Sequence, residues 1–268
     1  MGADIKSLRT RIKSVDSTLH LTTAMGLVAS SKIRRVLIAM KNGREYEAAV
    51  REAILPLIQS PDCQKSRYLR KPEEIKRRIL IVIAGDRGLA GGYNASLFRT
   101  LKECPADTVI PIGKRACDRF GQAPVYAEGF TKESAYEMAL ELCRAFASGE
   151  CDAVDILCTG YRTMLKQEPQ VRRIFPLEEA EASRSEGTIF EPDEQTVLDL
   201  AVPEYVTGLL LGAVRESFAC EIAARRCAMD SAGKNAKEMM DGLTLQYNRA
   251  RQSAITQEIT EIVAGSGT

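Results

Sequence analysis

The distribution of proline constrains the fold of this chain more than any other sequence feature. All ten prolines lie between positions 56 and 203, so residues 1–55 and 204–268 contain none. Because proline in a helix interior costs roughly 3 kcal/mol, two proline-free arms around a proline-bearing middle predict long helices at both ends. We expect the second long helix to begin just after Pro203.

The N-terminal arm carries an apolar seam that repeats every 3.5 residues. Steps of three and four residues from Ile5 reach sixteen positions, and twelve of them are apolar. A seam with this period is typical of a coiled coil. The positions are Ile5, Leu8, Ile12, Val15, Leu19, Thr22, Gly26, Ala29, Ile33, Val36, Met40, Gly43, Glu47, Val50, Ile54 and Leu57.

A helix of this length reaches about 80 Å, so its seam needs a second long helix to cover it. The C-terminal arm can supply that helix, because its apolar residues follow the same stepping. They are Met240, Leu243, Tyr247, Ala250 and Ala254, continued by Ile255, Ile259 and Ile262. The alternative is two separate helical bundles, one at each end of the chain.

The middle of the chain alternates between short strands and helices, which predicts an α/β sheet layer. Strands are predicted at 79–84, 108–112 and 153–159, with a fourth at 171–175. Helices are predicted at 93–104, 114–120 and 133–147. Residues 178–195 are acidic and polar and are expected to form a connector.

Several kinds of active site are disfavoured by composition. The only histidine, His20, falls within the helical pattern, and none of the eight cysteines forms a CxxC pair. We therefore expect reduced thiols, no zinc site and no catalytic triad. The net charge of +1 and the short apolar runs of the middle indicate neither nucleic-acid binding nor a membrane span. No signal or transit segment is expected.

The segment GDRGLAGGYN at 85–94 directly follows the first predicted strand. A glycine-rich turn between strand and helix can hold phosphate on backbone N–H groups. The spacing of Gly85, Gly88, Gly91 and Gly92 fits neither G-x-G-x-x-G nor a P-loop. A structural turn, which also includes Asp86 and Arg87, and a nucleotide site both remain open here.

Three segments together resemble the γ subunit of the rotary F-type ATP synthase, of the bacterial type. They are GDRGLAGGYN, LTTAMGLVASSKIRR at 21–35 and LQYNRARQSAITQEITEIV at 245–263, and FEPDEQTVLDL at 190–200 also fits. The resemblance implies a long antiparallel two-helix coiled coil, from residues 1–57 and 204–268, plus a central Rossmann-like α/β domain at 75–180. It implies a non-catalytic rotor without cofactor or metal.

The resemblance also implies partners. These are the α3β3 hexamer, the ε subunit and the c-ring, at the cytoplasmic face of the bacterial plasma membrane, with no nucleic acid and no homo-oligomer. Contacts with the β subunits are implied for Met25, Lys32, Arg34, Arg35, Arg251, Gln252 and Thr256. Contacts on the c-ring and ε side are implied for Phe190 and Glu191.

Some residues depart from the family pattern. Thr23 stands where lysine is common, and Gly26 replaces a charged helix former beside Met25. Cys151 and Cys158 are interpreted as core thiols rather than a regulatory pair. Two other functions compete with the rotor: a nucleotide-dependent enzyme using the 85–94 loop, and a scaffold or nucleic-acid-binding protein using the N-terminal arm, whose residues 1–55 carry a net charge of +5.

Overall fold

The structure, a computed structural model, describes residues 2–177 and 190–265. In chain order it contains α1 (Gly2–Gln59), a 3-10 turn at Pro61–Cys63, β1 (Arg78–Ile83), α2 (Tyr93–Leu101), β2 (Thr108–Ile112), α3 (Lys114–Phe120), α4 (Lys132–Ala147), β3 (Ala153–Tyr161), β4 (Gln167–Phe175) and α5 (Glu194–Gly265). Residues 178–189 of the expected connector lie outside the described residues.

The chain divides into two compact units, which we call the helical unit and the sheet unit. The helical unit joins the two ends of the chain, with residues 2–30 of α1 and 225–265 of α5. The sheet unit contains 31–177 and 190–224. Because both ends belong to one unit, the alternative of separate terminal bundles is wrong.

The two helices of the helical unit run antiparallel. A Cβ placed on Gly26 would lie 3.6 Å from Cβ of Met229, and one on Gly233 would lie 3.6 Å from Oγ1 of Thr22. Residue numbers therefore increase along α1 while they decrease along the facing part of α5. All sixteen seam positions predicted along α1 are buried or half-buried, in both units, so the 3.5-residue seam is confirmed.

The prediction of a buried seam is wrong for the last turns of α5. Ile255, Ile259 and Ile262 are 46%, 56% and 65% exposed. When the antiparallel register is extended, Gly2 lies opposite about position 253. Residues 254–265 of α5 therefore have no described residue of α1 opposite them. They form about 18 Å of single helix. The apolar stripe therefore continues beyond the helix that covers the rest of it.

The sheet unit is built on a four-stranded sheet in the order β2-β1-β3-β4. β1 pairs in parallel with β2 and β3, and β3 pairs antiparallel with β4. Alternate residues of β1 point to opposite faces. Leu80 and Val82 pack with α2 and α3, whereas Ile81 and Ile83 pack with α4 and with parts of α1 and α5. The predicted Rossmann-like domain with helical arms is confirmed.

The position of Pro203 corrects the prediction for the second arm. α5 begins at Glu194, so Pro203 lies inside the helix. Asp193 caps its start by accepting the Thr196 N–H at 2.8 Å. Leu198, Val202 and Val206 are completely buried, and each burial contributes about 1.5–3 kcal/mol. Together the three contributions exceed the roughly 3 kcal/mol that the proline costs the helix.

Within the described residues, one helix, α5, is long and apolar enough to cross a membrane by length and composition. Two thirds of its most apolar 18-residue window (67%) is buried inside the structure. Packing within this chain therefore accounts for much of the apolar character of that window.

Candidate functional site

The backbone of the 85–94 loop is held by side chains of this chain. The N–H groups of Asp86 and Arg87 donate to the two carboxylate oxygens of Glu221 on α5, at 3.0 and 3.1 Å. The N–H of Gly85 donates to Asn94 Oδ1 at 2.9 Å. These are the groups that would cradle a phosphate, and they already have acceptors. The geometry fits a structural turn rather than a nucleotide site.

Asp86 connects the loop to two further segments. Its carboxylate is buried and accepts backbone N–H groups from Lys114 at 3.2 Å, Ala127 at 2.9 Å and Glu128 at 2.9 Å. A buried carboxylate needs such partners, because an unpaired buried charge is strongly destabilising. Asp86 therefore fixes the start of α3 and the 127–128 segment against the end of β1.

The second half of the loop docks onto α5 within the sheet unit. Gly91 has φ of +56° and Leu89 has φ of +60°, which tightens the turn before α2. The hydroxyl of buried Tyr93 donates to the Ser217 carbonyl at 2.9 Å. Burial raises the pKa of Tyr93 well above its usual value, so the side chain stays neutral. Ala90 and Tyr93 form a small core with Cys220 of α5.

A basic patch surrounds Glu128 in the sheet unit. The Lys32 ammonium lies 2.6 Å from Oε1 of Glu128, and the Arg87 guanidinium lies 3.7 Å from Oε2. Arg34 and Arg35 on α1 are exposed. The hydrogen bond from Lys32, with the nearby charges of Lys32, Arg87 and Arg35, lowers the pKa of Glu128 against the opposing effect of burial. Lys32 is thus bound within the chain, while Arg34 and Arg35 face solvent.

We expect this pair to make the stability of the sheet unit weakly acid-dependent. A lowered folded pKa means that Glu128 stabilises the fold above its unfolded value of 4.5, and that this contribution disappears as the pH falls through the folded pKa. Because the pair is partly exposed, the effect is small. Urea unfolding between pH 6 and pH 3 should show less acid destabilisation in Glu128→Gln than in the wild-type chain. If the free energy of unfolding changed equally with pH in the two proteins, the Glu128 pair would not contribute to the acid dependence of stability.

The helical unit places the remaining predicted contacts on its surface. Met25 is half-buried, and the adjacent Gly26 lines a groove of about 370 Å³ together with residues such as Leu27 and Met229. Arg251, Gln252 and Thr256 are exposed near the single-helix end of α5. The structure thus places Gly26 in a groove that Met25 does not line, and it leaves Arg251, Gln252 and Thr256 accessible.

Phe190 and Glu191 lie just before α5, at the edge of the described residues. Phe190 is partly buried and packs against the main core of the sheet unit. Glu191 is exposed and is joined to Pro192 by a cis peptide bond. Of the two predicted contact residues, Glu191 is therefore the more accessible.

Comparison with known proteins identifies the family. The family model described as ATP synthase matches residues 4–268. The ATP synthase gamma chain of Ruminococcus albus is 39% identical, over 98% of this chain and 98% of that one. This chain belongs to the ATP synthase gamma chain family.

Other relatives and structures agree with this membership. The gamma chain of Moorella thermoacetica is 37% identical over 98% of both chains, and the sodium ion specific gamma chain of Acetobacterium woodii is 34% identical over 99% of both. A chain of the Euglena gracilis mitochondrial ATP synthase OSCP/F1/c-ring structure has a TM-score of 0.67 at 17% identity, covering 98% of this chain and 94% of its own. A chain of the Tetrahymena thermophila central stalk/c-ring structure has a TM-score of 0.62 at 19% identity, covering 79% and 99%. These two likenesses show a shared fold.

As a gamma chain, the protein is a non-catalytic central-stalk subunit of the rotary ATP synthase. This membership removes the competing enzyme and scaffold functions. His20 is exposed and lies 3.7 Å from Asp16 on the same helix, so it is a surface residue. Burial raises the pKa of Cys151 to about 11 and that of Cys158 to about 12, which leaves both thiols protonated and unreactive at neutral pH.

Sequence reasoning about this gamma chain missed the buried carboxylates that join its elements. Glu221 holds the 85–94 loop, and Asp155 on β3 accepts Arg173 of β4 and lies 3.4 Å from Arg78 of β1. Glu47 on α1 binds Arg172 of β4. The sequence pattern could have indicated a partner for Glu47, because this glutamate occupies a position of the predicted seam and a buried charge requires a partner.

Proposed function

We propose that this gamma chain forms the rotating shaft within an α3β3 hexamer and carries ε and the c-ring at its other end. The observation that supports this most strongly is the surface of the helical unit. Leu21, Leu27 and Leu245 are each more than half exposed, as are the isoleucines at 259 and 262. Ile255, Ile259 and Ile262 follow one another along α5 at helical spacing, and such an exposed apolar stripe marks an interaction site. A surrounding apolar bearing would cover it.

The contacts with the β subunits are proposed at two places. Exposed Arg251, Gln252 and Thr256 offer hydrogen-bond donors beside the single-helix end of α5. The planar guanidinium of Arg251 suits a bidentate carboxylate or backbone partner. The second place is α1, where Met25 of the helical unit and Lys32, Arg34 and Arg35 of the sheet unit are proposed as separate contacts. Lys32 would have to exchange Glu128 for an acidic group of β, whereas Arg34 and Arg35 need no such exchange.

The contact with the c-ring and ε is proposed around Phe190 and Glu191. Exposed Glu191 can meet basic or polar loops, while Phe190 anchors the segment in the core of the sheet unit. This arrangement corresponds to a peripheral location on the cytoplasmic face of a bacterial plasma membrane, reached only through the complex.

Torque transmission gives the helix pair its mechanical role. Each charge crossing the membrane releases about 2.3 kcal/mol per 100 mV, and that energy must be stored as elastic strain until a β site releases ATP. A paired helix resists bending because each helix buries the seam of the other. An asymmetric shaft surface then presents a different face to each of the three β subunits as it turns.

The proposal is tested by charge reversal at Arg251 in a reconstituted α3β3γ complex. We expect Arg251→Glu to lower the rate of ATP hydrolysis several-fold, because a carboxylate would repel an acidic acceptor on β. The residue is exposed, so the variant should keep the helical content and thermal unfolding of the wild-type chain. Both properties are measured by circular dichroism.

Arg249→Glu provides the matched control. It makes the same charge change two residues away on the exposed surface of α5. We expect it to retain most of the hydrolysis rate. Equal rates for the wild-type chain and Arg251→Glu, or an equal loss in both variants, would contradict a specific contact at Arg251.

A further inference from the structure

Two adjoining cavities open beside residues 44–58 of α1 in the sheet unit. The first has a volume of about 360 Å³ and is lined by Arg44, Glu47, Arg51, Arg162, Arg172 and Glu216, among others. The second, of about 290 Å³, shares Glu47, Arg51 and Arg172 with the first and is also lined by Arg173 and by apolar residues of α1, β4 and α5. Volumes of this size are typical of small-ligand sites.

Both glutamates of the first cavity are already paired with arginine. Glu47 binds Arg172, and buried Glu216 accepts from Arg44 and, at 2.8 Å, from the Tyr161 N–H. Arg44 also donates to the Tyr161 carbonyl at 3.0 Å. These ion pairs hold α1, α5 and the β3–β4 hairpin together and position the walls of the cavity.

Two of the four arginines in the first cavity form no ion pair with a described residue. Among the described residues, neither the Arg51 nor the Arg162 guanidinium has a carboxylate within ion-pair distance. Arg51 comes from α1, and Arg162 follows β3, so two separate elements bring positive charge to one recess. Four arginines against two glutamates leave the cavity with a net charge of +2. Such a site has a strong preference for an anion.

We propose that this cavity binds a phosphate-bearing anion between Arg51 and Arg162. The guanidinium fork matches the oxygens of phosphate, and a group with about two negative charges balances the charge of the recess. None of the ten residues that line the first cavity belongs to the contacts proposed for the rotor, so the site is additional to that function.

The test is a calorimetric titration of the full chain with pyrophosphate at low ionic strength. We expect saturable binding at one site, and a dissociation constant at least tenfold weaker in Arg51→Gln and in Arg162→Gln. Arg99→Gln is the control, because Arg99 is an exposed arginine on α2 of the same unit. It should bind pyrophosphate as the wild-type chain does. Thermal unfolding of all three variants checks their folding.

Competition identifies the source of the phosphate. Displacement of pyrophosphate by ATP indicates a soluble nucleotide, and displacement by phosphatidic acid vesicles indicates a lipid headgroup; either result supports the proposal. Three results would overturn it: no saturable pyrophosphate binding at millimolar concentration, equal weakening in Arg99→Gln, or binding of a glutamate-rich peptide without binding of pyrophosphate.

Discussion

Replacing Gly113 with alanine should destabilise the sheet unit by more than about 4 kcal/mol. Gly113 has φ of +89°, and a Cβ there would lie 2.0 Å from the backbone oxygen of Ala84. The Ala84 oxygen cannot move away, because the Ala84 N–H donates to Ile112 at 2.9 Å and holds that backbone in register. The substitution therefore combines a strained conformation with a backbone clash.

Urea unfolding followed by tyrosine fluorescence measures this loss, because seven of the eight tyrosines lie within residues 31–224. Gly129→Ala is the matched control, since a Cβ at Gly129 meets nothing within 4 Å. We expect its unfolding midpoint to stay close to that of the wild-type chain. Similar midpoints for Gly113→Ala and Gly129→Ala would show that the turn after β2 tolerates a side chain.

Replacing Asp86 with alanine should cost about 3–5 kcal/mol, because three backbone N–H groups lose their shared acceptor. Those groups belong to Lys114, Ala127 and Glu128, and the site is too buried for bulk water to replace the carboxylate fully. The substitution releases the start of α3 and the segment that carries Glu128. Faster hydrogen exchange at these three amides, together with a lower urea midpoint, is the expected result.

Asp118→Ala serves as the control for the Asp86 variant. Asp118 pairs with Lys114 at 2.9 Å on the surface of α3, where such pairs contribute at most about 1 kcal/mol. We expect little change in its midpoint and no change in exchange at Ala127 and Glu128. If Asp86→Ala behaved like Asp118→Ala, Asp86 would not hold these segments together.

The long-range pairing of the arms could be predicted because it depends on a periodic pattern. Every seam position from Ile5 to Leu57 is at least half-buried. The prediction failed at Pro203 for a different reason. Propensity treats proline as a helix boundary, whereas burial of Leu198, Val202 and Val206 within the sheet unit supplies enough free energy to extend the helix through it.

The sequence by itself determined the helical arms, the α/β middle and the family, because periodicity, proline positions and motifs are local properties of the chain. Only the tertiary structure decided that Glu221 occupies the N–H groups of the glycine-rich loop and that Lys32 binds Glu128. It alone placed Arg51 and Arg162 in one recess. The partners in each set come from segments far apart in sequence, and their pairing follows from how those segments pack rather than from any pattern within one of them.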